Sequence, residues 1–376
     1  MIYLDNSATT ALDADVLEQM MPWLRSGYGN ASSIYAMGRE SRVAIERART
    51  EFAALIGAHP AEIIFTSGGT EANNAILKSV LVDSQLATSL VYSATEHHAV
   101  MHPAQALQAQ GFDVRQADVD AEGRIDLDVL SGMVSSDTLV SVMHANNETG
   151  VVQPLERVRA TIGHALLHAD AVQSLGKIPI DVGRLAVDFL SFSGHKIHGP
   201  KGIGAMFIRK GINFAAHQQG GGQERNRRAG TEPVALIVGM VAAARAAVTD
   251  LERRTAHMQA CIHHARAVLA AQIPDIRINT PELGALPNII NVSFVDAARL
   301  DGESILQAMD IAGVAVSNGS ACVSGSLQPS HVLKAMGLSD AESRAAVRLS
   351  VSKDTTLDEI ERACALLSEI IRNMRV

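Results

Sequence analysis

Strand-like and helix-like segments alternate through the first two-thirds of this chain, and that alternation limits the fold more than any other feature. Short β-rich runs at Glu62 to Thr66, Ser89 to Tyr92, Thr138 to Met143, Leu166 to Asp170, Phe189 to Ser193 and Gly204 to Ile208 are separated by stretches of helical character. Glu40 to Ile56 and Glu71 to Val82 are the clearest of those helices. Strands separated by helices predict an α/β fold with a largely parallel sheet covered on both faces. In such a sheet, ligands sit beyond the carboxyl ends of the strands. Five polar clusters fall there: Gly68-Gly69-Thr70, Glu96-His97, Asn146-Asn147, Asp170 and Lys196.

The remaining third reads differently. From Ala235 to Ala271 the pattern predicts one long alanine-rich helix without a hinge. A β-rich run (Asn288 to Phe294), a helix (Gly302 to Ala312), a glycine- and serine-rich loop (Ser317 to Gly325) and a C-terminal helix from Leu357 follow. These form a smaller α+β domain, whose first strand the N-terminal segment can supply. The expected division is a large domain over 15–250 and a small domain from 1–14 with 251–376, the latter carrying a cysteine loop at about 317–330.

With 376 residues and 47% hydrophobic content, the chain can bury large cores. A net charge of −8, 3% aromatic residues and no basic stripe argue against nucleic acid or an anionic membrane as partner. The N-terminus lacks signal-peptide character, and no apolar run reaches membrane-spanning length. Cys261, Cys322 and Cys364 are far apart and odd in number, which fits reduced thiols in a cytoplasm. Their spacing matches no metal site.

Lys196 sits in Ser191-Phe192-Ser193-Gly194-His195-Lys196, after an apolar β-like run and before a glycine-rich stretch reaching Gly204. A lysine at such a strand end can be desolvated, which lowers its pKa and makes the amine nucleophilic. Beside it, Ser193, His195 and backbone N–H groups suit an anion. A lysine next to a phosphate seat is what pyridoxal phosphate needs for a Schiff base. Alone, it reads more readily as a surface lysine in a turn. Gly69 and Thr70 open a helix, so free N–H groups and the dipole face an anion there, or the glycines merely cap the helix.

Asp170 ends an apolar strand, and a buried carboxylate needs a partner. A protonated pyridinium nitrogen is one; an arginine or a helix cap is another. Gln173, three residues on, can reach the ring's phenolic oxygen. His97 offers an imidazole that can stack on a flat ring and exchange protons, or a helix N-terminal histidine without a ligand. Arg348, in a strand-like run, either faces inward to clamp a carboxylate through two parallel bonds or lies exposed on an edge. Cys261 and Cys364 lie among apolar helix residues and read as core. Cys322 lies in a small-residue loop and is a candidate nucleophile, although nothing in that loop is basic.

Together these residues resemble the cysteine desulfurases of the NifS/IscS type, within the fold-type-I pyridoxal phosphate enzymes. The resemblance runs nearly end to end: YLDNSATT from Tyr3, FTSGGTEANN from Phe65, TEHHAV from Thr95, MHANNETGVVQP from Met143, HADAVQSLGKIPID from His168, SFSGHKIHGPKGIG from Ser191, GGGQERNRRAGTEP from Gly220 and SNGSACVSGSLQPSHVL from Ser317. It implies the PLP-transferase fold, with a mostly parallel seven-stranded sheet between helices. Lys196 is then the Schiff-base lysine, with Asp170 at the pyridinium nitrogen, Gln173 at the phenolic oxygen and His97 stacked on the ring. Gly69, Thr70, Ser193, Gly194 and His195 hold the phosphate, joined by Thr231 from the partner subunit of a homodimer. Asn147 and Arg348 orient the substrate carboxylate.

The implied reaction converts L-cysteine to L-alanine. Cys322 takes the sulfur as a persulfide and passes it to an acceptor or scaffold protein of iron–sulfur assembly, where it can also be a transient cluster ligand. Selenocysteine lyase, cysteine-sulfinate desulfinase and a catalytically idle assembly partner are the alternatives. The chain departs from the family pattern at Ala31, Tyr35 and Val323, none of which is a cofactor contact.

Overall fold

The computed structural model describes residues 1–295, 297–319 and 328–375. Its strands are β1 (Ile2–Tyr3), β2 (Ile63–Thr66), β3 (Ser89–Ser93), β4 (Asp113–Ala117), β5 (Thr138–Ser141), β6 (Leu166–Asp170), β7 (Phe189–Ser193), β8 (Gly204–Ile208), β9 (Ile276–Ile278), β10 (Ile289–Phe294), β11 (Val314–Ala315) and β12 (Val347–Ser350). Seven of them form one sheet in the order β2-β8-β7-β6-β5-β3-β4. Neighbours are parallel from β4 through to β7, while β8 runs antiparallel to both β7 and β2. The expected α/β sheet is therefore present. Strands β2, β3, β5 and β7 are buried at every position, as strands covered on both faces must be.

One polar side chain pins the middle of the sheet. His168 on β6 bonds the Ser141 hydroxyl on β5 at 2.9 Å and the Ser191 hydroxyl on β7 at 3.1 Å. Burial pushes its imidazole down to about 3, so the ring stays neutral and uses one nitrogen as donor and the other as acceptor.

A second core forms around β10, β12 and the helices Leu251–Gln272, Gly302–Ile311 and Leu357–Met374. Ile2 and Leu4 belong to it. β1 pairs in parallel with β11, and Asp5 bridges Ser350, so the N-terminal segment does supply a strand here. β12 lies at the edge of a three-stranded sheet, β12-β10-β9.

The single helix expected from Ala235 to Ala271 is two helices, Val234–Thr249 and Leu251–Gln272, bent by 75° at Asp250. The first buries Ile237, Met240 and Ala244 in the core under the main sheet, and the second buries Met258, Cys261 and Leu269 in the second core. One straight helix cannot face both. The Asp250 carboxylate, held by Arg253 and Arg254, sits at the break. Among the described residues, no single helix is long and apolar enough to cross a membrane.

Candidate active site

Lys196 ends a single turn, Gly194–Lys196, that follows β7 directly. Its Nζ donates to the carbonyl oxygens of Ser7 and Ala8, both at 2.6 Å. Burial, and then the Arg348 charge, push the ammonium down to about 8 against the upward pull of Asp5 and Asp170. An amine so placed is partly neutral near that pH.

The amine opens into a cavity of about 370 Å3 beyond the carboxyl ends of β2, β3, β5, β6 and β7. Gly69, Thr70, Ser193 and His195 line it with Lys196, and His97, Asn147, Asp170, Gln173 and Arg348 complete the set. Ten of the sequence-selected residues thus meet at one place. Gly194 is not on the cavity wall, Thr231 is elsewhere, and Cys322 lies outside the described residues.

Gly69 opens the helix Gly69–Lys78. The N–H of Ala72 bonds back to the Gly68 carbonyl, so the N–H groups of Gly69, Thr70 and Glu71 precede the first intrahelical bond. A Cβ at Gly69 would lie 2.5 Å from Val172 Cγ2, which explains the glycine. His195 bonds the Thr9 hydroxyl through Nδ1 at 3.1 Å. Burial and the Lys196 charge push its imidazole down to about 4.

Neither an arginine nor a helix cap holds Asp170. Its Oδ1 accepts the Val172 N–H at 2.9 Å, and its Oδ2 accepts from Asn73 Nδ2 at 2.6 Å. A carboxylate has about four lone-pair directions, so a further donor from the cavity can be accommodated. His97 does cap a helix, His98–Ala109, with Nδ1 accepting the Ala99 N–H at 3.0 Å. The neutral ring therefore carries its proton on Nε2. Burial lowers its pKa, opposed by Asp170.

Arg348 sits on an edge strand yet is only 3% exposed. The N-terminal segment covers it: Nη2 donates to Asp5 Oδ1 at 2.6 Å, and Nη1 donates to the Asn147 carbonyl at 2.7 Å. The Arg348 backbone pairs with Ser317.

Several participants carried no role in the sequence reading. The Ser7 and Ala8 carbonyls lie in the YLDNSATT stretch, but backbone oxygens have no residue signature. Gln173 Nε2 donates to the Ser7 carbonyl at 2.9 Å, while its Oε1 accepts from Lys177 Nζ at 3.3 Å. Burial, and then the Lys196 charge, push Lys177 down to about 7. Glu148, His331 and Ser7 also line the cavity.

Thr231 is exposed beside a separate notch of about 90 Å3. The segment leading to it holds Glu224, Arg225 and Asn226 at φ of 44°, 59° and 60°, a left-handed run without glycine. The Glu224 carboxylate pins that run. It accepts from Arg49 Nη1 and Nη2 at 2.7 and 2.9 Å and from the Phe65 N–H at 2.9 Å. Both side chains are almost fully buried. Glu224→Ala leaves the buried Arg49 guanidinium with only Glu46 and the Ile63 carbonyl, and the expected loss is about 3 kcal/mol of unfolding free energy, read from the denaturant midpoint. A loss below about 1 kcal/mol contradicts this account.

Residues 2–363 match the family model for the aminotransferase class-V family. The cysteine desulfurase IscS of Dictyoglomus turgidum is 43% identical over 378 residues, covering 100% of this chain and 95% of that protein. The chain belongs to the class-V aminotransferase family, in its cysteine desulfurase branch. A solved NifS-like protein superposes with a TM-score of 0.91 at 37% identity, covering 99% of each chain. A structure described as SspA in complex with cysteine gives 0.81 at 33% identity, covering 95% of this chain and 100% of that one.

Enzymes of this branch depend on pyridoxal phosphate, and the cavity fits that group. It joins a lysine amine of lowered pKa to a carboxylate with free acceptor capacity and a neutral imidazole. Helix N–H groups and a serine lie on the same wall. The Asn73 amide that bonds Asp170 leaves its own Oδ1 buried without a partner, so Asn73 serves only as donor to that carboxylate.

Proposed function

We propose that this cysteine desulfurase acts on L-cysteine as a homodimer, carries the sulfur as a persulfide on Cys322, and delivers it to an acceptor protein of iron–sulfur cluster assembly. One observation carries the reading: the Lys196 amine, poised near neutrality, shares a single cavity with Asp170, His97 and Arg348.

Lys196, Asp170, Gln173 and His97 would hold the cofactor ring, and Gly69, Thr70, Ser193 and His195 its phosphate. Bound pyridoxal phosphate supplies an electron sink for the Cα–H bond of an amino acid. The chain's own groups do the rest. Arg348 receives the substrate carboxylate, with Asn147 alongside. Lys196 Nζ, once neutral, removes the Cα proton and returns it. Asp170, whose Oδ2 accepts from Asn73 Nδ2, would hold the proton of the cofactor's ring nitrogen. His97 Nε2 is a second proton carrier within the cavity.

The Cys322 thiolate then attacks the substrate sulfur. An S–S bond forms, the Cβ–S bond breaks, and its electron pair, with a proton, leaves the carbon skeleton as alanine. The sum is one thiol and one cysteine to one persulfide and one alanine. Ser317 and Gly319 before Cys322, and His331 after it, line the cavity, which supports its access to the substrate. The cysteine bound to the related SspA structure supports the substrate.

The homodimer is supported by Thr231, which is exposed and outside its own chain's cavity. A groove of about 680 Å3 between the helices Ala14–Arg25, Ala36–Leu55 and Val234–Thr249 supports it too, flanked by Ile34 at 89% and Val43 at 65% exposure. The odd number of cysteines, with Cys261 and Cys364 as free thiols, agrees with a cytoplasmic location.

Incubation with L-cysteine, followed by intact-protein and peptide mass spectrometry, tests the reading. One extra sulfur on Cys322 and one alanine per sulfur are expected; sulfur found on Cys261 or Cys364 contradicts it. A pH series tests the amine. The neutral form of Lys196 is the nucleophile, and its fraction rises with pH. The rate at which cofactor-free protein captures pyridoxal phosphate should therefore climb about tenfold per pH unit below about 8 and level off above it, followed by visible absorbance. A profile breaking near the ordinary lysine value would show the amine to be unperturbed.

A further inference from the structure

Two of the three guanidinium nitrogens of Arg348 already have partners. Nη1 is committed to the Asn147 carbonyl at 2.7 Å, and Nη2 to the Asp5 carboxylate at 2.6 Å. Nε is buried without a partner. A carboxylate ligand binds arginine best through two parallel N–H···O bonds. One arm of that fork is held by a carboxylate belonging to the protein.

Asp5 is well placed to let go. Its side chain is 22% exposed, against 3% for Arg348. Its backbone is held independently of that contact: its carbonyl accepts from the Ala8 N–H at 3.0 Å, and Asp5 bridges Ser350. The Asp5 carboxylate can rotate toward solvent while the strand segment stays fixed. Two carboxylates on one guanidinium repel, so arrival of a second favours that rotation.

We propose that Asp5 is an internal competitor for the substrate carboxylate: it occupies Arg348 between turnovers, is displaced by cysteine, and reclaims Arg348 as alanine departs. The inference rests on Arg348 being the carboxylate receptor. Asp5 then sets the substrate affinity. It weakens binding of every α-carboxylate, substrate and product alike, and so keeps the product from lingering.

Asp5→Asn separates competition from support, because the amide Oδ1 can still accept from Nη2 while the competing charge is gone. The probe is 3-mercaptopropanoate, which has the carboxylate and thiol of cysteine but no amine to condense with the cofactor. Its binding is measured by calorimetry on the cofactor-loaded enzyme, with Asp5→Ala and Arg348→Gln in parallel. The expected result is about tenfold tighter binding for Asp5→Asn, lost binding for Arg348→Gln, and a KM for cysteine lowered about tenfold with kcat no higher. If Arg348→Gln loses the probe but both Asp5 variants bind it equally or more weakly, Arg348 is the receptor and Asp5 only supports it, which overturns the proposal. If Arg348→Gln binds the probe normally, the reading of Arg348 and this proposal fail together.

Discussion

Lys196→Ala is expected to lower cysteine turnover by about 10^4-fold or more while leaving a cooperatively folded protein. The amine is both the attachment point and the proton carrier, so one substitution removes two functions. No neighbouring amine can replace it. Lys177 has a similarly depressed pKa, but its Nζ is buried on the Gln173 carbonyl and side-chain oxygen and is not on the cavity wall. The variant leaves the Ala8 carbonyl without its donor, at a site open enough for water to replace it, while the Ser7 carbonyl keeps the Gln173 amide. Alanine formation, visible absorbance of the purified protein and a thermal melt read out the three consequences. Activity within tenfold of the parent would show that the base lies elsewhere.

Cys322→Ser carries the second large effect: persulfide formation and sulfur delivery should fall by about 10^3-fold or more, with the cofactor still bound. The other two thiols cannot compensate. Cys261 and Cys364 are fully buried in the second core, and burial raises both, Cys364 to about 12. At neutral pH neither supplies a thiolate, and neither touches the cavity. Cys364→Ser should lower stability by placing a hydroxyl in an apolar site, whereas a hydroxyl at Cys261 can bond the Thr355 carbonyl; both variants should leave sulfur transfer intact. The measurement is radiolabelled sulfur retained on the protein after desalting. Retention undiminished in Cys322→Ser would remove Cys322 from the reaction.

The sequence made the catalytic wall legible because a parallel sheet has a functional end. Glu96-His97, Asp170 and Lys196 each follow an apolar run, and three strands match their expected bounds: Leu166–Asp170, Phe189–Ser193 and Gly204–Ile208. Periodicity failed where tertiary demands overrode it. Asp113–Ala117 and Ile276–Ile278, neither of them expected, are outer strands whose mixed exposure blurs any apolar run. The bend at Asp250 answers the need to serve two cores, which no local pattern encodes. Arg348 shows the limit most clearly. Spacing alone left it either inward or exposed at an edge, and it is an edge-strand residue buried by a segment some 340 residues away in sequence.

That burying segment has a bearing on how the protein is made. β1 pairs with β11, Asp5 reaches Arg348, and Ser7 and Ala8 hold Lys196, so the first ten residues join contacts that span nearly the whole chain. On the ribosome the main sheet can collapse long before these partners emerge. The opening residues must wait unpaired until β11 and β12 have been synthesised, the slowest kind of loop to close. The segment that orients the lysine is thus anchored only once β12 has been made.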